Sequence, residues 1–421
     1  MSEDILVFSD WQRHAIPKRI GTLAARPGRS GELFSFSFDA EALANFELRS
    51  SELDPQLQPF TGPQFPAGGH VTFGVFADAS PDRWGRTLMR RRFERERREG
   101  LHPVKNRLTE SDYLLGVHDA FRSGALRFKR DPGGPFLDNR SATAAPPFVR
   151  LRELEAATRA IERDSRNDDP QVDAWLKLLL APGASLGGAR PKATVVDEQG
   201  HLWIAKFPSV ADDRDIGAWE LVVQRLAQRC GLNAPETGAR RFASERHTFM
   251  IRRFDRTADG GRTHFASAMT LTRHTDGDDA SSGASYLEIA EVIIARGAQT
   301  KRDLTELWKR ILFNVLVSNV DDHLRNHGFL LEPGRGWHLS PAFDMNPVPE
   351  SIGLSLNIDE ASNDRDVDLV RSVARYFRVA AGDATATIEH FMQEVRHWNG
   401  LAEALGIARS ERESMASAFT A

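Results

Sequence analysis

Apolar and polar positions alternate near the start of the chain. "ILVF" (5–8) and "GELFSFSFD" (31–39) carry β-branched or aromatic residues in partial two-residue alternation, and both predict strands. "DASPDRWGRTLMRRRFERERREG" (78–100) predicts a capped, arginine-rich helix. Its arginines interleave with Glu94, Glu96 and Glu99, so the charged face is either solvated or a contact for DNA or a partner. "RDPGGPFLDNRSATAAPP" (130–147) has no apolar period and predicts a linker or long loop. Helical spacing returns in "FVRLRELEAATRAIERD" (148–164) and "VDAWLKLLLAPG" (172–183). "KATVV", "DEQG" and "HLWIAKF" (192–207) predict strand, turn and strand. "DIGAWELVVQRLAQRCGLNAPE" (215–236) predicts an amphipathic helix stopped by Gly231 and Pro235, and "HTFMIRRFDR" (247–256) another strand. From Leu271 the pattern is mostly helical, in "SYLEIAEVIIARG", "LTELWKRILFNVLVSN" and "ATIEHFMQEVRHWNGLAEALGI". No repeat of solenoid length occurs. The expected organisation is an α/β first half and a helical second half.

Composition narrows the class. The 421 residues allow two or three domains at ~150 residues each, and 41% hydrophobic with 27% charged residues is ordinary for a soluble globular protein. The net charge of -4, from 55 basic and 59 acidic residues, offers no global field toward nucleic acid or anionic lipid. A single cysteine, Cys230, excludes an internal disulfide and suits a reducing cytosol. The first residues lack a signal-peptide pattern, and no apolar run reaches the ~18 residues of a membrane span. The expectation is a cytoplasmic protein without a membrane partner.

Four short stretches carry candidate chemistry. In "SLGGARPKATVV" (185–196), Gly187 and Gly188 let backbone approach a ligand and turn N–H groups to an anion, with the charge of Lys192 beside them. It is not a Walker A loop, because Pro191 precedes the lysine and Ala193 follows it; a tight turn before a strand is the alternative. Lys206 sits among the apolar Ile204, Ala205 and Phe207, so it either snorkels from an edge strand or reaches nucleotide phosphates, with Glu220 on the next helix as a candidate to orient it. In "SNVDDHLRNHGFLL" (318–331), His323 and His327 have i,i+4 zinc spacing, but Gly328 follows at once and no HExxH glutamate lies between them. Asp321 to Asn326 instead has the spacing of a phosphoryl-transfer loop, aspartate as proton acceptor and asparagine on Mg²⁺, whereas Asp322 to Asn326 does not. Helix-end caps are the alternative for either residue. Finally "GFLLE", "PGRG" and "WHLSP" form a hairpin by pattern and lead to "AFDMNP", which brings a second carboxylate, Asp344. Catalytic loop, hairpin and metal carboxylate occur in the order a kinase lobe needs, and sparse oxygen ligation suits Mg²⁺.

On "GVFADASPDRWGR", "SLGGARPKA", "MIRRFDR", "NVDDHLRNHGFL" and "LSPAFDMNP", the chain resembles the HipA-type serine/threonine kinase toxins of bacterial toxin–antitoxin systems, over nearly its whole length. The resemblance implies an α+β, two-lobed, protein-kinase-like fold. It divides into an N-terminal α/β subdomain (1–130), a kinase N-lobe (148–257) and a helical C-lobe (258–421). It implies ATP and Mg²⁺ as cofactors, Asp321 as proton acceptor, Lys206 as the ATP lysine, and Asn326 and Asp344 as metal ligands. Leu186, Gly187, Gly188, Ala189, Arg190, Pro191 and Lys192 would cover the phosphates. Ile251, Arg252, Arg253 and Phe254 would hold the adenine mainly through backbone, and His323, Leu324, Arg325 and Phe343 would complete the nucleotide contacts. Ser185 falls where members carry an autophosphorylated serine, an expected off-switch. Implied partners are a protein substrate in translation of the aminoacyl-tRNA synthetase class and a helix-turn-helix antitoxin of HipB type, with DNA contacted mainly through that antitoxin. Two departures stand out: Arg252 replaces an expected hinge glutamate, and Met345 and Asn346 follow the metal aspartate where Phe-Gly stands in eukaryotic kinases. A small-molecule or lipid kinase, and a catalytically silent corepressor, are the rival readings. The sequence does not name the target, the stoichiometry with the antitoxin, or toxicity in the host.

Overall fold

The structure, a computed structural model, describes residues 3–11, 16–29, 31–44, 53–101, 106–137, 146–164, 171–179, 188–257 and 259–420. The chain forms two compact units. One comprises Met1–Ala211 with Asp255–Ala266, the other Asp212–Phe254 with Ser267–Ala421.

In the first unit an antiparallel sheet has the order β3 (Glu32–Phe38), β2 (Lys18–Pro27), β1 (Glu3–Ser9), β4 (Leu126–Lys129). The alternation in "LFSFSF" puts Phe34, Phe36 and Phe38 on the buried face, where they meet Ile5, Leu23, Phe73, Phe76 and Phe128. The sequence pattern did not mark β2 or β4. Much of "KRIGTLAARP" is small or charged, and pairing with β1 and β3 makes it a strand. Within the stretch read as a linker, Leu137 donates its N–H to Phe128 (2.9 Å) and packs on this core. The Arg83–Arg98 helix starts at the N-cap Asp82, whose carboxylate accepts from Gly85 N–H (2.8 Å). Its arginines are not all solvated: Arg91 donates to the carbonyls of Ile161 and Asp164, and Arg95 grips Asp173, so they tie this helix to those at Leu151–Arg163 and Val172–Leu179. β5 (Lys192–Val196) and β6 (Leu202–Lys206) form the expected hairpin, with Lys192 opposite Lys206.

In the second unit the Ile216–Arg229 helix packs on a hairpin of β7 (Thr237–Arg240) and β8 (Thr248–Arg252). The short β9 (Phe265–Ser267) covers the residues where the chain passes from the first unit to the second. The Thr300–Val317 helix is buried all round over Arg310–Val317, and earlier in it Trp308 Nε1 donates to the Val370 carbonyl (2.9 Å). The Tyr286–Arg296 helix begins with a capping box of Ser285 and Glu288. β10 (Gly328–Glu332) and β11 (Gly336–Leu339) pair antiparallel, as "GFLLE" and "WHLSP" predict. The stretch 386–407, a continuous helical pattern, is broken at Arg396 and His397 into helices Ala381–Val395 and Trp398–Ala404. Trp398 stacks on Phe419 at 4.6 Å, which redirects the second helix onto the end of the chain. Among the described residues no helix is long and apolar enough to cross a membrane.

Candidate active site

The Thr300–Val317 helix ends at Ser318, which takes a left-handed φ of +52° and turns the chain sharply. Ser318 Oγ donates to the Ala418 carbonyl (2.6 Å), so the end of the chain pins this turn. The next residues close into a tight loop. His323 N–H donates to the Asp321 carbonyl (3.0 Å), Asn326 N–H to that of His323 (2.8 Å), and Asn326 Nδ2 back to that of Asp321 (2.9 Å). Asp321 and Asn326 are thus brought together as their spacing predicts. Leu324 is buried, and Arg325 reaches Asp276 at 3.3 Å.

The two adjacent aspartates have opposite environments. Asp321 is exposed; Asp322 is buried. Asp322 Oδ2 accepts from Tyr286 Oη, from Asn314 Nδ2 and pairs with His327 Nε2, each at 2.7 Å. Burial pushes this carboxyl up, but the His327 ring and the donated hydrogen bonds outweigh it and hold the group below its ordinary value. Burial, then the Asp322 charge, push the Tyr286 phenol well above its ordinary range, so it stays a donor. His327 is therefore engaged with Asp322 rather than paired with His323 as a metal ligand, and among the described residues no cluster of three or more His, Cys, Asp or Glu could hold a metal ion.

The network continues to the second carboxylate. Asn319 Nδ2 donates to Asn314 Oδ1 (3.0 Å), and Asn319 Oδ1 accepts from Asn346 N–H (3.0 Å). Val348 N–H donates to the Ser318 carbonyl (3.0 Å). The "FDMNP" segment is thereby fastened to the start of the 321–326 loop. Asp344 within it takes a φ of +59°, strain of ~1–3 kcal/mol that in folded proteins gathers at functional positions. Phe343 packs against Phe254 at 5.5 Å, so the expected hinge meets the residue before Asp344. At the hinge, Ile251 pairs with Thr237, and Arg252 N–H donates to the Glu236 carbonyl (2.9 Å) while its guanidinium lies 3.4 Å from the Glu236 carboxylate. Arg253 is buried and Phe254 half-buried.

The glycine-rich segment and both candidate lysines belong to the other unit. Ser185, Leu186 and Gly187 lie outside the described residues. Gly188 has φ +87°, which favours glycine. Arg190 donates to the Phe207 carbonyl (3.3 Å) and Pro191 accepts from Phe207 N–H (2.8 Å); Ala189 before them is exposed. Lys192 does not project into solvent: its Nζ is buried on Asp82 Oδ2 at 2.8 Å and reaches the Gly188 carbonyl at 3.3 Å. Lys206 is half-buried on β6; Glu220 is buried in the Ile216–Arg229 helix, and the two fall in different units. Sequence reasoning missed Tyr286, Asn314, Asn319 and Asp82. One signal was present, a lone asparagine in the apolar run "ILFNVLV".

Comparison with known proteins adds the family and the fold. The sequence model described as the HipA-like C-terminal domain matches residues 184–416, more than half of the chain. The chain is similar to a Haemophilus influenzae protein named "Putative kinase", 27% identical over 194 residues, 41% of this chain and 56% of that one. It is also similar to "Putative kinase Y4dM" of Sinorhizobium fredii, 29% identical over 161 residues, 35% of this chain and 37% of that one. The chain thus spans between about a third and a little over half the length of these curated relatives. A chain of the solved complex of the Shewanella oneidensis MR-1 HipA, HipB and operator DNA superposes with a TM-score of 0.62 at 15% identity, covering 98% of this chain and 94% of that one. This likeness shows the fold, the α+β, two-lobed, protein-kinase-like architecture expected from the motifs.

Proposed function

From a chain that belongs to the HipA-like C-terminal domain family, we infer a Mg²⁺- and ATP-dependent kinase that transfers the γ-phosphoryl group to a serine or threonine hydroxyl of a protein. One observation carries this reading. A loop closed by Asn326 presents Asp321 to solvent while the neighbouring Asp322 is buried as its brace. Asp321 orients the acceptor hydroxyl and takes its proton; catalysis otherwise rests on positioning and charge neutralisation. The donor set suits Mg²⁺, a carboxylate on Asp344 and an amide oxygen on Asn326, whose Nδ2 is already committed to the loop. When bound, the ion neutralises phosphate charge. Lys206 reaches the phosphates, and residues 186–192 cover them. Residues 251–254, 323–325 and Phe343 complete the nucleotide contacts.

The same reading makes the chain the toxin of a toxin–antitoxin module in the cytoplasm. It is partnered by a HipB-type antitoxin that carries most of the DNA contact; the similar Shewanella HipA was solved with HipB and operator DNA. Its target is a translation protein of the aminoacyl-tRNA synthetase class. Phosphate on Ser185 would bring about -1.5 to -2 charges to the glycine-rich segment and compete with ATP for its donors, switching the kinase off.

The test is incubation with labelled ATP, Mg²⁺ and host lysate. One labelled protein is expected, together with phosphate on Ser185 by mass spectrometry, and both should vanish in Asp321→Asn. That variant should still fold and bind ATP but transfer ~10²–10⁴-fold more slowly. Label passing to a metabolite or lipid instead would replace the protein-kinase reading, and ATP-independent operator binding without transfer would support a silent corepressor.

A further inference from the structure

Lys192 and Asp82 form an ion pair whose side chains are only 2% and 1% exposed. They are separated by 110 residues, and Asp82 lies outside the stretch 184–416 that matches the family model. The pair has a definite architecture. Asp82 is the N-cap of the Arg83–Arg98 helix: Oδ1 accepts from Gly85 N–H (2.8 Å) and Oδ2 from Lys192 Nζ (2.8 Å). The helix N-terminus favours the ionised carboxylate, so the cap is a fixed anion in a buried place. Lys192, the first residue of β5, spends its charge there and uses a second donor on the Gly188 carbonyl (3.3 Å). A Cβ on Gly188 would lie 3.2 Å from that Nζ, so lysine and glycine are packed against each other.

We propose that Asp82 is a positioning residue for the phosphate-covering segment. It holds Lys192, and Lys192 holds the backbone at Gly188, so that the first hundred residues fix the Gly188–Lys192 part of the nucleotide cover. This rests on the nucleotide reading of residues 186–192 above, and it changes the role of Lys192 within it. A lysine buried on a capping carboxylate acts by fixing the loop, not by giving its charge to phosphate. Two other contacts hold this segment independently, Arg190 donating to the Phe207 carbonyl (3.3 Å) and Phe207 N–H donating to the Pro191 carbonyl (2.8 Å). The Gly188 carbonyl has the Lys192 ammonium, and through it Asp82.

The deciding variant is the double substitution Asp82→Asn with Lys192→Gln in the full chain. It removes both charges, keeps a good N-cap and retains an amide pair that can hydrogen-bond. Either single substitution strands a buried charge, and a loop displaced by about 1 Å is expected to weaken Mg-ATP binding on the order of 10- to 100-fold. The double variant should recover most of the Mg-ATP affinity that either single substitution loses, read by calorimetry. If Lys192 neutralises phosphate directly, the double variant will bind as weakly as Lys192→Gln alone, and the proposal falls. Hydrogen exchange at Gly188–Arg190 without nucleotide separates this from the function reading. Exchange raised in each single variant and restored in the double supports the Asp82–Lys192 hold even in a chain that binds no ATP, whereas equal exchange in all four proteins overturns it.

Discussion

Asp321 and Asp322 are chemically identical neighbours, and their difference is entirely one of surroundings. Asp322 gathers a phenol, an amide and an imidazole on one oxygen in a buried pocket. Its removal would strand those three donors, so Asp322→Ala should cost ~3–5 kcal/mol of stability in urea titrations. Tyr286→Phe, which deletes one of the three, should cost only ~1 kcal/mol. Equal, small losses for both would show that the network does not brace the loop. The contrast with Asp321→Asn is the useful part: an exposed carboxylate should leave unfolding unchanged and affect transfer alone. Cys230 shows the same logic in a bland setting, where burial raises the thiol to about 12 and leaves it an inert core residue.

Among elements, the β10–β11 hairpin between the 321–326 loop and "FDMNP" depends on a close approach. Gly336 has φ +114°, and a Cβ there would lie 2.3 Å from the Arg296 carbonyl oxygen at the end of the Tyr286–Arg296 helix. Gly336→Ala adds both backbone strain and a clash with backbone that cannot swing away. We expect a loss of ~1–3 kcal/mol, read as a lowered Tm. We also expect a larger fractional loss of transfer than of ATP affinity, because the hairpin positions Asp344. An alanine variant as stable and active as wild type would disprove this. The Thr300–Val317 helix makes the complementary point. One of its buried polar residues, Asn314, donates to Asp322 and accepts from Asn319, so the helix anchors the start of the loop.

For the whole molecule, pH reports on a histidine that is not among the candidate site residues. His264 is fully buried in the first unit beside Trp11, and burial pushes its imidazole down to about 3. Above the unfolded value of about 6.5 both states are neutral there, and the residue has no pH effect. Below it the unfolded chain binds a proton that the folded chain refuses until about pH 3, so stability falls as pH drops through that window. The slope from this group is at most ~1.4 kcal/mol per pH unit. His264→Leu should therefore flatten the decline in unfolding free energy between pH 6.5 and 5, and an unchanged slope would refute the assignment. Local periods and motif order made much of this protein readable without coordinates. "KATVV" and "GFLLE" are strands over the same residues, and Asp321 with Asn326 could be paired because five residues of chain already bring them near. β2 was not readable, since its strand character comes from neighbours on either side. Nor was the role of Asp322, whose partners stand 36, 8 and 5 positions away, or that of Lys192, whose anion is 110 positions away. Spacing along a chain dictates what can meet within a turn or two of backbone. Which buried charge meets which distant donor is decided only when the core closes, because there the cost of an unpaired charge forces a choice that solvent would otherwise leave open.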